Sequence, residues 1–122
     1  MLDSGFAKDY IDIADHYGLD TQLMKLAEEC AEYSAACLKW HVYEGLANNQ
    51  ANPSRKYFSE LCDKAGEDCV KELADVLVLS RQIEWLLQKK SAAELREAIE
   101  KEMKGKVQRQ LNRIEEEKKN AS

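Results

Sequence analysis

The chain has 122 residues, of which 44% are hydrophobic and 34% charged, with a formal net charge of -5 at pH 7. That length suits about one domain with a modest core helped by self-association. Net acidity argues against a polymeric nucleic-acid partner, though not against a nucleotide, because metal ions bridge acidic side chains and phosphates. No run approaches roughly 18 apolar residues, and "MLDSGFAKDY" is mixed and acidic rather than a signal peptide, so neither a membrane span nor a leader is expected and the cytoplasm is the expected location.

Residues 3–15 read as a short amphipathic helix with Phe6, Tyr10, Ile13 and Ala14 on its apolar side. "HYGLDT" then breaks it, with Gly18 as C-cap and Asp20 as the next N-cap. The first long helix is expected over 21–44. Leu23, Leu26, Ala27, Cys30, Ala31, Cys37 and Leu38 recur at spacings of three and four, as a core-facing stripe does. Gln22, Lys25, Glu29 and Glu32 form a polar band beside it. Gly45, three asparagines and Pro53 mark a loop over 45–55, Ser54 is placed to cap a new helix, and Gly66 leaves continuity through 55–67 open.

A second long helix is expected over 67–88, with Val70, Leu73, Ala74, Leu77 and Ile83 on one face and Glu72, Asp75 and Leu79 on its neighbour. Residues 91–117 read as one charged helix or two meeting near Gly105, opened by a Ser91/Glu94 capping box. Leu95, Ile99, Met103, Val107, Leu111 and Ile114 give it a heptad-like apolar stripe, and residues 118–122 are expected as a flexible tail. The predicted fold is all-α. It is an antiparallel helical bundle forming one domain over 1–117, with two long core helices carrying the acidic motifs, completed by oligomerisation.

Cys30, Cys37, Cys62 and Cys69 show no C-x-x-C spacing, and residues seven apart in a helix sit about 10 Å apart, so reduced core thiols are expected rather than local disulfides or a zinc site. The carboxylates carry more chemistry. Helix positions three apart lie about 60° apart around the axis and roughly 4.5 Å along it. Glu29 and Glu32 can therefore converge from one helix and Glu72 and Asp75 from another. Four such groups repel one another without a cation, and a hard divalent ion accepts oxygen ligands and suits substrate phosphates. Charged helices also produce such spacings by chance. Di-iron chemistry is set aside, because neither His16 nor His41 follows a glutamate by three positions.

Two motifs in order, "EECAE" at 28–32 and "ELAD" at 72–75, make the chain resemble the MazG-like all-α nucleoside triphosphate pyrophosphohydrolases of bacteria and phages. The flanks "HYGLDTQLMKLAEECAE", "ELADVLVLSRQIEWLL" and "KGKVQRQLNRI" carry the likeness across most of 10–115. The resemblance implies cleavage of a nucleoside triphosphate between its α and β phosphates, giving monophosphate and pyrophosphate. It implies Mg²⁺, with Mn²⁺ as a substitute, on Glu29, Glu32, Glu72 and Asp75 as metal-binding and catalytic residues; Glu28, about 40° round the helix from Glu32, is placed as an accessory acid or as a partner of Lys25. It also implies a homodimer or dimer of dimers whose subunits share active sites, and the host cytoplasm if the chain is phage-encoded. One departure is the 39 residues between Glu32 and Glu72, longer than the family's usual interval. The surplus falls around the 45–66 loop.

Further candidates for substrate contact are Gln22 and Lys25 on the acidic band, Lys39 and Trp40 at the end of the first long helix, Arg55 and Lys56 beside the loop, and Lys104 and Arg109 near the carboxyl end. Each has a plainer reading: Lys25 pairs with Glu28 or Glu29, Trp40 packs, and the remaining charges are solvated. The alternative function is a non-catalytic helical interaction or regulatory protein, supported by the 95–114 stripe.

Overall fold

The computed structural model describes residues 4–88 and 91–121, arranged as helices α1 (Ser4–Asn48), α2 (Arg55–Leu87) and α3 (Ala92–Ala121). The chain is all-α, as the periodicity predicts. Within α1, Gly18 has φ 81° and ψ 167° and joins two helical stretches. That backbone region is essentially reserved for glycine, so the break expected in "HYGLDT" is one residue wide. The helix does not stop at Gly45 but at Asn48, where asparagines build the turn. Asn49 Oδ1 accepts from Ala51 N at 3.1 Å, Asn52 Oδ1 accepts from Ser54 N at 3.0 Å, and Asn52 Nδ2 donates to the Leu46 carbonyl at 3.3 Å. These side chains supply hydrogen bonds that the interrupted helix gives up. The carbonyl of Ser54 then accepts from Phe58 N at 3.2 Å, opening α2, which runs unbroken through Gly66.

α1 and α2 pack antiparallel. Asp15 Oδ1 accepts from Trp85 Nε1 at 2.9 Å at one end, and Glu44 Oε2 accepts from the Cys62 thiol at 3.1 Å towards the other. Between them Cys37 Sγ and Cys69 Sγ lie 3.5 Å apart, and the Tyr43 and Phe58 rings stack at 6.3 Å. Gly66 explains itself here: a Cβ at that position would sit 3.1 Å from Trp40 Cε2, so the missing side chain admits the indole.

The inward faces differ from the expected ones. On α1 the covered positions are Gln22, Leu26, Glu29, Tyr33 and Ala36; on α2 they are Cys62, Ala65, Cys69, Glu72, Val76, Leu79 and Ile83. Their steps alternate between three and four, the spacing of knobs in a paired-helix seam. Of the stripes expected to face the core, Leu26, Cys37 and Ile83 are covered, but most of the rest is exposed, including Leu23 at 48%, Leu38 at 66%, Val70 at 62% and Leu77 at 56%. Cys30, expected in the core, is exposed as well, whereas Cys62 and Cys69 are buried. Both helices are apolar on more than one side. The hairpin uses the side with small residues and carboxylates and leaves much of the bulkier stripe, about a third of a turn away, exposed.

The chain divides into two compact units, Met1–Leu86 and Leu87–Ser122. In the second unit Ser91 Oγ accepts from Glu94 N at 3.4 Å, capping a single helix that passes through Gly105. α3 stays helical to Ala121, into the expected tail, and Ser122 lies outside the described residues. No helix among the described residues is long and apolar enough to cross a membrane.

Candidate metal centre

Glu29 and Glu72 occupy seam positions on opposite helices, and Glu32 stands one turn beyond Glu29 on the solvent side. One carboxylate oxygen from each of the three lies within 4.8 Å of the other two. Glu29 is buried, Glu72 is half-buried and Glu32 is exposed, so the group is closed on the seam side and open at its rim. Glu29 Oε2 and Glu72 Oε2 are shielded from solvent and have no hydrogen-bond partner. A buried, charged oxygen without a partner is costly, and its needs are met by a proton or a cation.

Lys25 answers part of this demand. Its ammonium lies 3.2 Å from Glu29 Oε1 and 3.8 Å from Glu28 Oε2. The hydrogen bond to Glu29, then the charge of Glu29 and that of Glu28, hold Lys25 above its usual titration range. One ammonium against three clustered carboxylates still leaves the group negative. Glu32 shows the strain electrically. The Glu29 charge, a hydrogen bond with Glu29 and the Glu72 charge push the Glu32 carboxyl above its ordinary value of 4.5, against a lowering pull from Lys25. A proton held there does what a cation would do in its place. The donor set is all oxygen and anionic, which fits a hard divalent ion such as Mg²⁺ or Mn²⁺ rather than a soft one.

The other expected residues separate by position. Asp75 is exposed one turn after Glu72, and its carboxylate is not part of the three-residue group. Glu28 is exposed and turned to Lys25. Gln22, read as a base or ribose contact, is buried in the hairpin at 3% exposure. Trp40 lies against Gly66. Arg55 and Lys56 are exposed at the start of α2, about 25 Å along the helix from Glu72. Lys104 and Arg109 are exposed on α3, in the other unit.

Lys39 is better placed. With Ala36, Ala65, Asp68, Lys71 and Glu72 it lines a cleft of about 240 Å³. The alanines leave the room, and Lys39 and Lys71 line the cleft together with Glu72, the Lys39 ammonium lying over the Tyr43 ring at 6.0 Å from its centroid. Sequence reading did not single out Lys71 or Asp68 as contacts. The available signal was adjacency: Lys71 immediately precedes Glu72, and Asp68 lies one turn before it. No protein-family model matches the chain, and neither does any curated protein or solved structure.

Proposed function

We propose that the chain is a divalent-cation-dependent nucleoside triphosphate pyrophosphohydrolase of the MazG-like kind, acting as a homodimer or dimer of dimers. One observation carries the reading: three carboxylates from two helices converge while two of their buried oxygens lack any partner. Glu29, Glu32 and Glu72 would hold Mg²⁺ or Mn²⁺, with Asp75 as the further ligand that the motif resemblance implies. Such an ion, when bound, neutralises phosphate charge and acidifies water.

The chain's own residues then have distinct tasks. Glu29, fixed in the seam by packing and by Lys25, sets the position of the group. Glu32, at the open rim, would complete the ion's ligand set from the solvent side, where an attacking water has access. Lys39 and Lys71 face the cleft beside Glu72 and offer charge to the phosphate chain, which orients the α–β bond over the carboxylates.

The test is hydrolysis of a nucleoside triphosphate panel with Mg²⁺ and with chelator, separating monophosphate plus pyrophosphate from diphosphate plus phosphate. Cation-dependent pyrophosphate release is expected. Glu29→Gln should lower it by more than the roughly 10–100-fold that loss of a ligand's supporting partner costs. Diphosphate plus phosphate would reject α–β cleavage. The exposed apolar stripe of α3 favours a second reading, a non-catalytic helical interaction protein. That reading predicts no turnover, no cation dependence and indifference to Glu29→Gln.

A further inference from the structure

α3 displays an apolar ridge with charges arranged about one point. Met103 is 59% exposed, Val107 52% and Ile99 37%. At 100° per residue, Ile99 and Val107 sit about 40° to either side of Met103. Successive four-residue steps from Leu95 to Leu111 make a slanted ridge rather than the straight seam of a heptad, and such ridges interlock with a crossing angle near −50°. On one flank stand Glu100, about 60° round, and Lys104, about 100° round; on the other stand Glu102, about 100° round, and Lys106, about 60° round. Each flank therefore has an acid before Met103 and a base after it. Neither Glu100–Lys104 nor Glu102–Lys106 closes as an ion pair within α3 among the described residues.

We propose that α3 pairs antiparallel with α3 of a second copy of this chain, about a two-fold axis at Met103. In that orientation each flank meets itself reversed. Glu100 faces the partner's Lys104 and Glu102 faces the partner's Lys106, each contact occurring twice by symmetry. A parallel pair brings opposite flanks together, setting Glu100 against the partner's Glu102 and Lys104 against the partner's Lys106. In the antiparallel pair Lys104 and Glu102 also stand near their own copies, but opposite-charge contacts outnumber these, whereas like-charge contacts outnumber opposite ones in the parallel pair, so charge selects the antiparallel arrangement. The apolar ridge supplies the attraction, and Met103, unbranched and adaptable, meets its own copy at the axis. This gives the proposed assembly one of its contacts and rests on no property of the carboxylate centre, so either can fail without the other.

The experiment is sedimentation of the full chain, with circular dichroism to confirm retained helix. Lys104→Glu/Lys106→Glu makes both flanks wholly acidic, and Glu100→Lys/Glu102→Lys makes both wholly basic. Each alone should raise the dissociation constant by at least about tenfold, and an equimolar mixture should restore association, more so at low salt. Orientation is read by mild oxidation and peptide mapping. Met103→Cys should link to itself across the axis. Ile114→Cys should not, because two such positions lie about 33 Å apart in the antiparallel pair. A wild-type monomer, or unchanged mass in both charge variants, would overturn the proposal. A self-link at Ile114→Cys would overturn the antiparallel orientation.

Discussion

Glu29 meets two opposed demands: it fills a seam position that packing alone would give to an apolar side chain, and it keeps a charged oxygen there without a partner. The electrical consequence reaches Glu32, whose carboxyl is raised above its ordinary value by Glu29 first and Glu72 after it. A carboxyl with a raised folded-state value contributes stability that is full below its unfolded value and is lost as pH rises through the folded value. Metal-free protein should therefore lose this contribution as pH rises above the ordinary carboxylate range. Thermal midpoints in chelator from about pH 4 to pH 8 should show it as a difference between the chain and Glu32→Gln, whose profile lacks that loss. Saturating Mg²⁺ at neutral pH should more than recover it. At a hundred times its dissociation constant a ligand stabilises by about 2.7 kcal/mol.

Glycines separate cleanly at the scale of the helix. Gly18 needs its positive φ, so Gly18→Ala should destabilise by about 1–3 kcal/mol. Gly66 is helical but filled from across the seam by Trp40, so Gly66→Val should cost about 1–3 kcal/mol through overpacking. Gly45 and Gly105 have nothing within 4 Å of an added Cβ, so alanine at either should stabilise by roughly 0.5–1 kcal/mol. Chemical denaturation of the four variants checks all of this at once. The same residues mark what the sequence made legible. Three-and-four spacing identifies the helices, and Ser91 marks the start of α3. Spacing could not distinguish a glycine that ends a helix, as Gly45 was read, from one that lies inside it. Nor could it tell which of two apolar sides the hairpin buries. Glu29 and Glu72 were legible as chemistry because they depart from apolar composition, but their place within the seam was not, since a hydrophobic count assigns carboxylates to solvent. Lys71 went unread for the same reason, as a single exposed cation in a charged helix.

At the scale of the molecule, the buried apolar set among the described residues is small: Ala14, Cys62, Ala65, Cys69, Leu79 and Ile83. Leu23, Met24, Leu38, Val70 and Leu77 are largely exposed, more bulky apolar surface than a lone hairpin ordinarily shows water. Cover by further copies of the chain makes stability depend on subunit concentration. The thermal midpoint should therefore rise as protein concentration is raised, and a charged replacement such as Leu77→Glu should weaken that dependence while the helical signal of the chain persists below its melting point. A midpoint indifferent to dilution would mean that the hairpin stands without such cover.

The two seam glutamates also imply a trade-off. Replacing a buried, under-partnered charge pair by apolar side chains of similar size is often neutral or stabilising by about 1–4 kcal/mol. Glu29→Leu/Glu72→Leu, measured in chelator, should melt higher than the natural chain, yet gain nothing from added Mg²⁺. A sequence optimised for folding alone would drift to leucine at both positions. Acids there leave the metal-free chain less stable than its architecture permits, a deficit that a bound cation would offset.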